Sequence, residues 1–166
     1  MKNLKIWSLA LALLVAMTGC EPSADSEQGG VAKKPFNPIA TSQLSEKIVN
    51  AWQIVEYAGA EARFDVFIEF NNGGEFELYQ RIYSNDYEKL TGTYTLEGDA
   101  LTGVYSNDVE WNHSYTVKIA ESPLRLRLIE ENGTYAEYEA IEKEQLDIIK
   151  GQAVETKATR ATEYFL

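Results

Sequence analysis

From residue 51 onward the chain alternates apolar and polar residues with a period of two, segment after segment. Phe64, Val66, Ile68 and Phe70 take turns with Asp65 and Glu69; Phe76, Leu78 and Ile82 with Glu75, Glu77 and Arg81; Leu124, Leu126 and Leu128 with Arg125 and Arg127. Successive side chains of a strand point to opposite faces, whereas a helix repeats its apolar positions every three to four residues. The pattern therefore predicts strands with one buried face. Eight of them fall at about residues 51–57, 63–70, 75–83, 89–96, 100–106, 111–120, 124–130 and 134–141. Turn-forming clusters separate them: NNGG at 71–74, SND at 84–86 and 106–108, EGD at 97–99, ESP at 121–123 and ENG at 131–133.

Loop lengths test the alternation. A two-residue turn at Gly98–Asp99 sets Leu96 opposite Leu101, Tyr94 opposite Gly103 and Gly92 opposite Tyr105, and a glycine first in the turn suits type II′. The motif Leu-Thr-Gly-x-Tyr occurs at 90–94 and again at 101–105, so each tyrosine is expected to cover the glycine across from it. Three-residue loops at 72–74 and 131–133 pair Phe70 with Phe76, Ile68 with Leu78 and Leu128 with Ala136. Short connections between sequential strands give an antiparallel meander. Closing eight strands removes the exposed edges and leaves an interior that holds side chains or one small ligand.

The first forty residues read differently. Met1 to Lys5 carries two lysines, and Ile6 to Met17 is apolar apart from Ser8. A basic start and an apolar run of this length make an export signal, and the run falls short of the about 20 residues a membrane-spanning helix needs. Met17-Thr18-Gly19-Cys20 then resembles the lipobox of bacterial lipoproteins, with methionine where Leu, Val or Ile is usual. The resemblance implies that residues 1–19 are a lipoprotein signal peptide. It also implies that Cys20 carries acyl chains, palmitate among them, and that these anchor the protein in the bacterial cell envelope, at the outer membrane. Cys20 is the only cysteine, and an unpaired thiol in an exported chain is otherwise a liability. Residues 20–40, rich in Ser, Gly, Pro and charge, read as a lipidated flexible tether. That leaves 41–166 as one domain. Taking away the first nineteen residues removes two of the fifteen Lys and Arg and none of the Asp and Glu, which moves the net charge from −11 to −13. Such a balance argues against nucleic acid and against a grip on anionic headgroups.

From about Leu44 to Leu166 the succession LSEKIVNAWQIVEY, FIEFNNGGEFELY, GTYTLEGDALTGVYS, YTVKI and LRLRLIE resembles the lipocalin-like domains of Bacteroidetes lipoproteins. Asn50-Ala51-Trp52 stands where many lipocalins have Gly-x-Trp, so the tryptophan is kept and the glycine is not. The fold class expected is all-β: an eight-stranded antiparallel up-and-down meander closing into a lipocalin-like barrel, with a short N-terminal helical turn and a C-terminal helix and tail. Leu146, Ile149 and Lys150 have helical spacing and Gly151 can end the helix. The tail Val154 to Leu166 finishes on Tyr164-Phe165-Leu166. It is apolar enough to need cover in a groove, as an edge strand or in a barrel mouth, and docking on the barrel is expected.

The resemblance further implies a small apolar molecule inside the barrel. The residues expected to line it are Trp52, Phe64, Ile68, Leu78, Gln80, Tyr94, Tyr105, His113, Tyr115 and Tyr138. A pocket of aromatics with a few orienting hydroxyls fits this composition, and so does a plain packed core. His113 is the only histidine; sharing a face with Tyr115 and Val117, it reads as a hydrogen-bonded barrel residue rather than a base or metal ligand. There is no second His or partner Cys for zinc and no nucleophile-elbow motif. Glu75/Glu77 and Glu137/Glu139 fall on the expected solvated outer face, and Asn107, Asp108 and Glu110 lack calcium-loop spacing. No catalytic residue, metal or cofactor is therefore expected. The function expected is a non-enzymatic, lipid-anchored envelope protein that binds a small, partly apolar molecule. The alternative is a structural or protein-interaction module with a filled barrel and a partner patch at Tyr57, Tyr79, Tyr83 and Val104.

Overall fold

The computed structural model describes residues 34–159 and 165–166; the export signal and Cys20 lie outside them. The strands are β1 (Ala51–Tyr57), β2 (Ala60–Glu61), β3 (Asp65–Phe70), β4 (Glu75–Arg81), β5 (Glu88–Glu97), β6 (Ala100–Tyr105), β7 (Tyr115–Glu121), β8 (Leu124–Ile129), β9 (Tyr135–Ala140) and β10 (Val154–Glu155). β2 and β10 are two-residue additions at the margins. The other eight run antiparallel in sequence order, and β9 returns to pair with β1, so the sheet closes into an eight-stranded barrel. The register is the one the loop lengths predict: Phe70 faces Phe76, Ile68 faces Leu78, Leu96 faces Leu101, Tyr94 faces Gly103 and Leu128 faces Ala136. Gly98 sits at φ 64°, the left-handed value that the first position of a type II′ turn requires.

The inward faces form one core with Ile54, Val66, Ile68, Leu78, Leu90, Leu101, Val117, Ile119, Leu126 and Leu128. One end of the barrel carries the tight hairpins 71–74, 98–99 and 122–123. The Phe70 N–H bonds to the Asn50 carbonyl at 3.0 Å, which places the start of β1 at this end. Just upstream, a 3-10 turn (Thr41–Gln43) runs into α1 (Leu44–Lys47). Leu44 and Ile48 are buried in the core, and Trp52 donates its indole N–H to the Ile48 carbonyl at 2.9 Å. That end is closed by its own neighbours in sequence. The opposite end carries the longer connections 58–64, 82–87, 106–114 and 130–134.

Three local features depart from simple alternation. First, β1 is bulged: Ile54 faces Tyr138 and Glu56 faces Glu137, so Val55 is an extra residue against β9. One extra residue exchanges the faces of all that follow. Tyr57, facing Ala136, is thereby turned toward the rings of Phe64 and Phe165 at the open end, where it stays 37% exposed, and away from the outer wall. Second, β7 starts at Tyr115 rather than near 111. Residues 103–105 of β6 bond to the returning loop instead: Trp111 N–H to the Gly103 carbonyl at 3.0 Å and Tyr105 N–H to the Val109 carbonyl at 2.8 Å. The β6–β7 pairing is left with two residue pairs, Ala100 with Thr116 and Leu101 with Tyr115. Third, the cover over Gly103 is the Trp111 ring and not Tyr94. A Cβ built at Gly103 would meet that indole at 2.3 Å, and one at Gly92 would meet Phe76 at 2.6 Å. Both positions need glycine: the indole fills the space at Gly103, and at Gly92 the nearest obstacle is the Val104 carbonyl oxygen, 2.1 Å from such a Cβ.

The outer face is less solvated than the alternation suggests. Helix α2 (Lys143–Lys150) lays Leu146 on Ala51, Phe67 and Tyr79, so Tyr79 is buried rather than displayed. Its hydroxyl donates to Glu77 at 2.6 Å, and Lys150 reaches Glu77 at 2.8 Å. Burial alone would raise the Glu77 pKa, but hydrogen bonds from Lys150, Tyr79 and Lys89 bring it down to about 2. A carboxylate depressed in the folded state contributes stability above its ordinary range; here that contribution is lost as the pH falls toward about 2. On β9, Glu137 faces outward yet is 1% exposed. Arg125 and Arg127 bond it at 2.8 and 2.6 Å. The Phe36 ring covers both guanidiniums, and Arg125 also donates to the Pro35 carbonyl at 2.8 Å. The Ile39 N–H bonds to the Ile119 carbonyl at 2.8 Å. Residues 35–39, inside the stretch read as tether, thus lie strapped along the wall.

Candidate functional site

Polar interior side chains gather at the end with the longer connections. Gln80 stands near the end of β4, Tyr105 at the end of β6, Tyr115 at the start of β7 and Tyr138 within β9, all of them buried. What they meet is the chain's own Phe165 and Leu166. Gln80 Oε1 accepts the Phe165 N–H at 3.2 Å, the Tyr115 hydroxyl donates to the Phe165 carbonyl at 3.3 Å, and the Tyr105 hydroxyl donates to a carboxylate oxygen of Leu166 at 2.8 Å. Leu166 is 0% exposed. The Phe165 ring packs against Tyr57, Phe64 and Tyr138, with centroids 5.4, 5.3 and 6.4 Å away. The Tyr138 hydroxyl is buried and has no hydrogen-bond partner among the described residues. Burial holds the Tyr138 and Tyr115 phenols well above their ordinary range, so both are neutral donors.

The tail reaches this mouth along the margin of β5. β10 pairs in parallel with the start of that strand, Val154 beside Glu88, and the Thr156 N–H bonds to the Lys89 carbonyl at 2.8 Å. Asn107 donates its side-chain N–H to the Ala158 carbonyl at 2.7 Å. Its amide is thus engaged with the chain, in the loop whose Asn107, Asp108 and Glu110 lack calcium-loop spacing. Of the three places open to an apolar tail, two are used: an edge strand and the mouth.

The ten expected lining residues separate into groups. Phe64, Gln80, Tyr105, Tyr115 and Tyr138 surround or contact Phe165–Leu166 or stand among its neighbours. Ile68 and Leu78 face each other across β3 and β4 in the aliphatic core, and Trp52 belongs to the closed end. Tyr94 leans toward the 71–74 hairpin, its hydroxyl on the Asn71 carbonyl at 2.9 Å and its ring on Phe70. His113 is a correction. It is exposed, on the loop ahead of β7, because β6 bonds to residues 109–111 and the chain bends outward before joining the wall. There it lines an open groove of about 400 Å³ with Thr93, Thr95, Thr102 and Trp111. Tyr57 was missed as a mouth residue, since nothing in the sequence marks the bulge that turns it inward. Among the described residues no group of three His, Cys, Asp or Glu side chains stands placed to hold a metal ion.

Residues 48–126 match the lipocalin-like domain family, a span that starts just ahead of β1 and ends within β8. A crystal structure of a lipocalin-like protein from Bacteroides uniformis ATCC 8492 is similar at 22% identity and a TM-score of 0.43, over 57% of this chain and 99% of that one. No curated protein matches. The wall is closed by eight antiparallel strands, and along the matched span, from β1 into β8, the barrel is similar to lipocalin-like domains.

Proposed function

We propose that the protein is a lipid-anchored binding protein of the bacterial cell envelope. Acyl chains on Cys20 hold it at the outer membrane, and the barrel takes up a small, partly apolar molecule without converting it. A lipocalin-like barrel is a ligand-binding type of fold. The observation that carries the reading is the buried polarity at one end. Gln80 and three tyrosine hydroxyls are withdrawn from water where aliphatic side chains would pack at no polar cost, and the Tyr138 hydroxyl has no partner among the described residues. A bound molecule with acceptor oxygens would satisfy it.

Native mass spectrometry on protein released from the envelope tests this. The expected result is a retained small molecule that leaves on denaturation. A bare mass, with no response to a panel of lipids and aromatic compounds, overturns it. The anchor is tested separately: Cys20→Ser is expected to move the protein from the membrane to the soluble fraction, and unchanged fractionation refutes the anchor. One observation favours a second reading, a filled barrel acting through its outer surface: Leu166 already occupies the interior at 0% exposure. That reading requires the bare mass.

A further inference from the structure

Phe165 and Leu166 are held as a ligand is held. Their contacts with the barrel use groups that an apolar peptide ending in a free carboxylate carries: one amide N–H on Gln80, one carbonyl on Tyr115, a carboxylate oxygen on Tyr105, and an aromatic side chain among Tyr57, Phe64 and Tyr138. The polarity of the seat is fixed from behind. Gln80 Nε2 donates to Glu88 at 3.2 Å, which leaves its carbonyl oxygen facing inward and in need of a donor. A hydrocarbon has no N–H to give it, and a buried acceptor left unmet costs its desolvation. An acceptor and two hydroxyl donors complement the N–H, C=O and terminal carboxylate of a peptide, and Tyr138 adds a further hydroxyl with no partner among the described residues.

We propose that the mouth of the barrel is a peptide-binding site, occupied in cis by Phe165–Leu166, which takes a short apolar peptide in trans in the same seat. This rests on the binding reading above and names its ligand class. Occupancy in cis benefits from the high effective concentration of a tethered segment. An external peptide binds only the fraction of molecules whose mouth is empty, and its apparent affinity is lowered by that fraction.

The test is made on the full chain with the double substitution Phe165→Ala and Leu166→Ala, titrated calorimetrically with acetyl-Phe-Leu bearing a free carboxylate and with pyrene, an apolar probe without polar atoms. The peptide is expected to bind the double variant about tenfold or more tighter than the parent, and adding Gln80→Leu is expected to remove most of that gain. Equal peptide affinity in a variant whose circular dichroism and melting show a folded barrel overturns the proposal. A gain for pyrene but not for peptide also overturns it, while leaving a small-molecule carrier intact; no gain for either probe together with a bare native mass brings down both readings. If the double variant does not fold, hydrogen exchange on the parent decides. Loss of Phe165 amide protection on saturation with the peptide supports displacement, and unchanged protection refutes it.

Discussion

The two ends of the barrel are built from the same eight strands but filled by different means. At the closed end the filling is local and dry: Leu44, Ile48 and Trp52 lie within nine residues of one another, and the indole N–H is satisfied four residues back. At the mouth the filling is remote and polar. Phe165 and Leu166 arrive from the far side of α2 and β10 and are held by three side-chain hydrogen bonds and a ring cluster. Material continuous with the wall cannot leave without unravelling it. A segment resting on side chains can leave while the ladder of backbone bonds stays whole. The difference separates the part of the core that is built into the wall from the part that is docked onto it.

Substitutions on either side measure that difference. Trp52→Ala empties a fully buried position at the closed end and is expected to cost about 3–5 kcal/mol in urea unfolding; a loss no larger than that of a mouth residue would erase the distinction. Leu166→Ala, equally buried, is expected to cost only about 2 kcal/mol, the low end for such a truncation, because undocking relieves the cavity without global unfolding. The two melting curves side by side decide it. Tyr105→Phe removes one hydrogen bond to the tail and is expected to lose about 1 kcal/mol, with faster amide exchange at residues 165–166 and not at Trp52. Smallest of all, Tyr138→Phe deletes a hydroxyl without a partner among the described residues and should leave stability within about 0.5 kcal/mol. A larger loss there would mean that the hydroxyl is engaged after all.

The closed end and the hairpins were legible because their determinants are local. Alternation plus a counted loop gives a register, and the pairs from Phe70–Phe76 to Leu128–Ala136 follow. The mouth was half legible. Gln80, Tyr105, Tyr115 and Tyr138 share the inward parity of their strands, so they could be named without knowing what they would touch. Tyr57 could not be, since a bulge reverses parity without changing composition. His113 kept formal parity with Tyr115 but left the wall when β6 chose another partner. Tyr79 and Glu137 have the outward parity expected of solvated residues and are buried by elements distant in sequence, α2 and the strap at Phe36. Parity says which way a side chain points from its strand; what lies over it is decided elsewhere in the chain.

The two-pair seam between β6 and β7 has a mechanical consequence. β5–β6 and β7–β8 are each welded at six positions, the seam between them at two. A cylinder with one short weld does not yield uniformly: it tears there first and uncurls about the intact hairpins on either side. Strain on this barrel is expected to concentrate at Ala100–Thr116 and Leu101–Tyr115, and amide exchange on gentle heating should quicken there before it does along the neighbouring hairpins.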